Sequence, residues 1–146
     1  MHFTDYRCPA RYAALSALLA WLENQAAQAG LGGDETRRLQ LVVEELFANT
    51  VEHGFGEESD RPVAVAVAFL PNGVLIDYRD EAPPFNPLAQ DPTAGSAKAI
   101  GGHGLNILQN LARSMEYECI DGRNSIRIEL PRVGKLGEPQ LPVDTR

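Results

Sequence analysis

The chain has 146 residues, 44% hydrophobic and 23% charged, enough for one compact domain with a real core and ordinary for a soluble globular protein. Its formal charge of −7 argues against nonspecific nucleic-acid binding and against docking on anionic membranes. Any bound polyphosphate must therefore bring a divalent cation and be met by backbone N–H groups. Cys8 and Cys119 are far apart, with no CxxC and no zinc spacing, which reads as two reduced thiols. The opening MHFTDYRCPARY is too polar for a signal segment, and no apolar run approaches the length of a membrane span, so a cytoplasmic location is expected.

In chain order, residues 2–7 predict a short first strand, and Pro9 then opens a helix reaching Ala29. Leu15, Leu18, Leu19 and Leu22 recur in it at helical spacing, and Gly30, Gly32 and Gly33 end it. Asp34 is the expected N-cap of a second helix that runs to His53 and is closed by Gly54 and Gly56. VAVAVAFL at 63–70 alternates as a strand, Pro71-Asn72-Gly73 turns, and VLIDYRD at 74–80 returns as its hairpin partner.

Residues 81–100, with Pro83, Pro84, Pro87 and Pro92, predict a binding loop or lid. Helical signal resumes at GLNILQNLAR, where Leu105, Ile107, Leu108 and Leu111 face inward. MEYECI and NSIRIEL, joined through Asp121, Gly122 and Arg123, read as a second hairpin. Residues 1–130 form the expected domain, and 131–146 a flexible tail. The order β-α-α-β-β-loop-α-β-β predicts an α+β two-layer sandwich, a mostly antiparallel sheet with three helices on one face.

Within this frame Glu45, Asn49 and His53 stand four residues apart. Four residues advance a helix by about 400°, so the three side chains are offset by about 40° each and lie about 6 Å apart along the axis. Leu39, Val42, Val43, Leu46, Phe47 and Val51 surround this polar stripe, which places it at the border of a pocket. Asn offers a carbonyl oxygen to a hard cation without a full charge, which suits Mg²⁺ already held by phosphates. Glu45 then remains as a carboxylate free to accept a proton.

Asp80, where a strand runs into a proline-stiffened loop, is placed to accept from a ligand amine such as the adenine exocyclic amine. Gly101-Gly102-His103-Gly104-Leu105 puts glycines just before a helix, where backbone N–H groups approach an anion. It is neither the Rossmann fingerprint nor a P-loop. Lys98 and His103 supply the positive charge that the loop otherwise lacks. Each segment alone has a plainer reading: a solvated helix face, a turn-forming Asp, a flexible hinge.

Their order and spacing together change this. E-x-x-x-N-x-x-x-H on a helix, D-x-x-P-P-F-N-P after a hairpin, G-G-x-G-L opening a helix and a final G-x-N-S hairpin resemble the GHKL (Bergerat-fold) ATP-binding superfamily. Over roughly residues 5–130 the chain is most similar to its small RsbW/SpoIIAB-type anti-sigma factor serine/threonine kinases. The resemblance implies ATP and Mg²⁺ as cofactors, Asn49 as Mg²⁺ ligand, Glu45 as general base and Asp80 on the adenine amine with Ser125 supporting it. It further implies Gly102 and Gly104 around the phosphates and His53 in a supporting role.

The partners so implied are a STAS-domain anti-anti-sigma factor, an alternative sigma factor and a second copy in a homodimer. The alternative function is a partner-binding module without useful kinase activity. One position departs from the pattern: Ala82 stands where the family has the glycine of D-x-G. With φ above zero this costs roughly 1 kcal/mol, and with φ below zero almost nothing. Pro83 favours the second case.

Overall fold

In the computed structural model, residues 2–86 and 108–132 are described. Five strands, β1 (Thr4–Ala10), β2 (Ser59–Leu70), β3 (Gly73–Asp80), β4 (Ser114–Ile120) and β5 (Arg123–Pro131), form one antiparallel sheet in the order β1-β2-β3-β5-β4. Helices α1 (Tyr12–Gln28) and α2 (Gly33–Asn49), with the helical residues 108–111, provide the second layer. This is the α+β two-layer sandwich that the hydrophobic periods predict.

The core lies between the layers. Leu18, Leu22 and Ala26 of α1 and Leu39, Val42, Val43, Leu46 and Phe47 of α2 are buried. They meet alternate strand residues, among them Val63, Val65, Val67, Ile76, Tyr78, Ile126 and Ile128, and Leu108 joins from the third helix. Because strand side chains alternate between faces, this core fixes which residues look toward the helices. Val63, Asp80 and Asn124 are register neighbours on that face. Asp77, Arg79, Ser125 and Arg127 fall on the opposite face.

Several boundaries differ from the sequence expectation. Pro9 does not open α1; it sits in β1, opposite Pro62, beside a register shift at Ala10. An edge strand tolerates this, since a proline there sacrifices no ladder bond inside the sheet. Pairing with β1 likewise starts β2 at Ser59, four residues before the expected start. The N-cap of α2 is Gly32, and Asp34 lies in the first turn with Glu35, where both carboxylates face the positive end of the helix dipole. Asp121 and Gly122 alone make the second hairpin turn, with φ of 52° and 76°. Two positive φ values match the twist of a two-residue hairpin, so Arg123 pairs in β5 instead of turning.

The most consequential difference lies at the end of the second helix. The α-helix stops at Asn49 and continues as a π-helical turn, Thr50–Phe55, ended by Gly56 in the left-handed region at φ 81°. At the other end, β5 runs to Pro131, one residue into the expected tail. Arg132 follows it, donating to Leu70 O at 3.0 Å and Ala29 O at 2.7 Å. The remainder of the tail, 133–146, lies outside the described residues.

Candidate nucleotide-binding site

Asp80 ends β3 on the helix-facing side and is buried, at 8% exposure. Its Oδ1 accepts from the Ala82 amide at 3.1 Å and Asn124 Nδ2 at 2.9 Å; its Oδ2 accepts from Thr50 Oγ1 at 2.7 Å. Three donors on a buried carboxylate compensate its desolvation. A carboxylate offers about four lone-pair positions, so one remains, on Oδ2.

Thr50 belongs to the π-turn. Its oxygen also lies 2.7 Å from the Tyr78 hydroxyl and 3.1 Å from Leu46 O. Burial pushes the Tyr78 phenol well above its ordinary range, so it stays protonated and can donate. Its proton goes to Thr50, and the Thr50 proton goes to Asp80, the nearest strong acceptor.

Asn49 and Asp80 line one cavity, together with Leu46, Thr50, Tyr78 and Asn124. The side-chain amide of Asn49 makes no hydrogen bond among the described residues, which leaves its oxygen available to a cation. Glu45 stands one turn earlier on α2, half-buried and outside this lining. Burial first, then the Glu44 and Glu52 carboxylates, raise its pKa. Glu52 is itself engaged, accepting from the Tyr12 hydroxyl at 2.6 Å.

His53 leaves the ladder. The wider π-turn places it off the Glu45–Asn49 line, exposed, with its ring stacked on Phe85 at 5.9 Å between centroids. It does not line the cavity. Phe85 does, so His53 touches the cavity's lining only through its stacking on Phe85, in the segment that follows Asp80.

Ser125 also departs from expectation. It pairs with Arg79, and its Oγ donates to Asp77 Oδ1 at 3.2 Å on the outer face of the sheet. The residue opposite Asp80 is Asn124, and a one-residue offset in a strand is a change of face. Burial works against the Asp77 carboxylate, but Arg127 and Arg79 hold its pKa below the ordinary range. A larger cavity of about 530 Å³ opens on that outer face, lined by Arg79, Glu116, Glu118, Arg123 and Arg127, and shares no lining residue with the Asn49–Asp80 cleft. Size does not select the site. The buried carboxylate with one open acceptor does.

Ala82 is buried and its φ is negative, because Asp121 is the only non-glycine residue at positive φ among those described. Alanine is therefore unstrained in place of the family glycine. The constraint moves to Gly54, where an added Cβ would stand 2.9 Å from the Ala82 Cβ. Gly54→Ala is expected to cost about 1–3 kcal/mol from overpacking. The double variant with Ala82→Gly should recover most of it; thermal denaturation giving strictly additive effects would contradict the contact. Lys98, Gly102, His103, Gly104 and Leu105 lie outside the described residues.

Residues 8–130 match the histidine kinase-like ATPase domain family. The chain belongs to that family. No curated protein matches the chain at the sequence level. Among solved structures it is similar to the RsbU and RsbW domains of Rv1364c from Mycobacterium tuberculosis. That likeness has a TM-score of 0.63 and 18% identity, over 94% of this chain and 35% of that one. This chain thus spans about a third of the length of that structure.

It is also similar to the catalytic domain of histidine kinase ThkA, with a TM-score of 0.53 and 14% identity, covering 90% of this chain and 97% of that one. A third likeness is to the blue-light activated histidine kinase of Erythrobacter litoralis, with a TM-score of 0.53, 14% identity, and 85% and 61% coverage. Identities this low carry the fold. The family match makes the chain an ATP-binding, kinase-type module, and its donor set fits the nucleotide. One open acceptor on Asp80 suits a purine amine, and the amide of Asn49, without a hydrogen bond among the described residues, suits a phosphate-bound Mg²⁺. No described helix is long and apolar enough to cross a membrane.

Proposed function

We propose that this protein is an anti-sigma factor serine/threonine kinase. It uses Mg·ATP to phosphorylate a Ser or Thr of a STAS-domain anti-anti-sigma factor, and it sequesters a sigma factor, so that phosphorylation decides which partner it holds. One observation carries this reading: Asn49 and Asp80 face the same cavity from different elements, with the half-buried Glu45 one helical turn before Asn49. The RsbW domain in the similar structure supports the choice of branch.

Bound Mg·ATP would supply the phosphoryl group and the charge that neutralises it. The chain's own residues then have three tasks. Asp80, fixed by Thr50, Ala82 and Asn124, accepts from the base and sets its position. Asn49 presents a neutral oxygen for the cation, which in a chain of charge −7 adds no further repulsion toward phosphate. Glu45, ionised, receives the proton of the attacking hydroxyl. The mechanism needs positioning more than covalent chemistry.

The test is incubation of the protein with ATP, Mg²⁺ and a STAS-domain protein encoded beside it, followed by mass spectrometry. A single phosphorylated Ser or Thr is the expected product. ATP binding without any phosphorylated partner would instead favour the partner-binding module.

A further inference from the structure

The sheet ends in two edges, β1 and β4, and among the described residues no strand pairs with the outer side of either. An edge offers its free N–H and C=O groups to a further strand. Which residues of β1 offer them follows from the hairpin beside it. The two-residue turn Pro71-Asn72 makes Leu70 and Gly73 a hydrogen-bonded closing pair, so even positions of β2 bond to β3 and odd ones to β1. Val63, Val65 and Val67 therefore hold Cys8, Tyr6 and Thr4, and the backbone groups of Asp5 and Arg7 point outward. Pro9, next in that series, has no N–H to offer, and its carbonyl accepts from the Arg11 amide at 2.8 Å.

Side chains alternate along the same strand. Tyr6 faces the helices and stacks on Trp21 of α1, 5.3 Å between ring centroids. Asp5 and Arg7 lie on the outer face, exposed, and their side chains make no ion pair or hydrogen bond among the described residues. Just before the strand, Phe3 is an exposed large hydrophobic residue.

A two-fold axis normal to the sheet would bring a second copy to β1 antiparallel, with every side chain kept on its own face. Charge then selects the register. With the axis at Asp5, that carboxylate meets its own copy; with the axis at Arg7, two guanidinium groups meet. With the axis at Tyr6, Asp5 meets the partner's Arg7 and Arg7 meets the partner's Asp5. Phe3 then falls beside the partner's Pro9. Opposite charges directly across a strand pair attract, and like charges repel. The outward backbone groups of Asp5 and Arg7 also match in this register, as hydrogen-bonded pairs that exchange both bonds.

The other edge refuses the same operation. At β4 an axis on Tyr117 opposes Glu116 to Glu118 twice, and an axis on either glutamate opposes it to its own copy. Both glutamates are exposed, so this edge repels a second β4.

We propose that β1 is a dimer edge: a second copy of this chain pairs with it antiparallel in the register centred on Tyr6, matching Asp5 to Arg7 twice. The two sheets then become one, and both helical layers, each with its Asn49–Asp80 cleft, lie on the same side of it. The resemblance implies a second copy without saying which surface meets it; the edge and the register follow from these strands. The contact does not depend on the nucleotide reading.

Sedimentation of the full chain is expected to give a dimer. Asp5→Arg sets arginine against Arg7 twice, and Arg7→Asp sets aspartate against Asp5 twice. Each should weaken dimerisation about tenfold or more. Thermal denaturation of the monomer should not change, because both side chains are exposed and unpaired. Mixing the two variants should restore a dimer, since one chain then carries only arginines at these positions and the other only aspartates. The double variant Asp5→Arg/Arg7→Asp should dimerise by itself.

Single variants as dimeric as wild type overturn the proposal, and so does a mixture that stays monomeric. A wild-type monomer, which would leave the edge to a strand of another protein, overturns it as well. Amide hydrogen exchange adds a second readout. The Arg7 amide should exchange about tenfold or more slowly in the wild-type dimer than in Asp5→Arg. Equal rates sink the strand pairing even where a dimer forms.

Discussion

Asp80→Asn is expected to abolish most of the affinity for Mg·ATP while leaving the protein folded. An asparagine can keep only one acceptor oxygen. Placed with its oxygen at Oδ1, it retains the Ala82 amide and Asn124 Nδ2, the two donors that cannot turn away. Its NH2 then falls at Oδ2, where Thr50 can accept from it and redirect its own proton to Leu46 O, 3.1 Å away. The alternative rotamer opposes two fixed donors and is disfavoured. The arrangement that costs the fold least is therefore the one that converts the open acceptor into a donor, directly against a base amine.

A hydrogen bond to a charged group contributes about 1.5–3 kcal/mol, and the donor–donor clash adds to its loss. Affinity should fall by about a hundredfold or more, since about 1.4 kcal/mol is a factor of ten. Stability should fall by only about 1–2 kcal/mol. Calorimetric titration and thermal denaturation of the same sample check both. Retained affinity in a folded variant would remove Asp80 from the base.

The second large effect is on turnover. Glu45→Gln should bind Mg·ATP as wild type does and lose phosphotransfer by about 10²–10⁴, the usual contribution of a positioned general base. Unchanged turnover would count against Glu45. The wild-type pH profile carries the same information with a definite sign. Burial and the neighbouring Glu44 and Glu52 raise the Glu45 pKa. The base works ionised, so activity falls as pH drops through that raised value, sooner than for an exposed glutamate. Glu44→Gln or Glu52→Gln should move the fall to lower pH.

Stability carries the opposite sign. The folded state holds the Glu45 proton more tightly than the unfolded chain does. Stability therefore declines as pH rises between the unfolded and folded pKa values, and Glu45→Gln should be slightly stabilising above that window.

The sequence makes Glu45 and Asn49 legible because both lie in regular α-helix, where an i, i+4 spacing fixes a shared face. It fails at His53 because the helix changes to a π-turn one residue after Asn49, and no residue in TVEHGF announces the change. Thr50 leaves a readable trace: it stands four residues after Leu46 on the apolar stripe, a polar residue where the core period calls for an apolar one. Such a residue, once buried, must find partners, and it finds Tyr78 and Asp80.

Ser125 and Asn124 are told apart only by register. The turn chemistry of Asp121-Gly122 sets that register, and reading Arg123 as part of the turn hides it. At Ala82, the departure from the family glycine looks like a defect in sequence. In three dimensions its methyl is accommodated by Gly54, 28 positions earlier in the sequence (82 − 54) but adjacent in the fold.

A structure of the protein with Mg²⁺ and a non-hydrolysable ATP analogue tests the shared site most directly. The base amine should lie within hydrogen-bond distance of Asp80 Oδ2, and the Asn49 side-chain oxygen about 2.1 Å from Mg²⁺. A nucleotide seated instead in the outer-face cleft among Arg79, Arg123 and Arg127 would contradict the account.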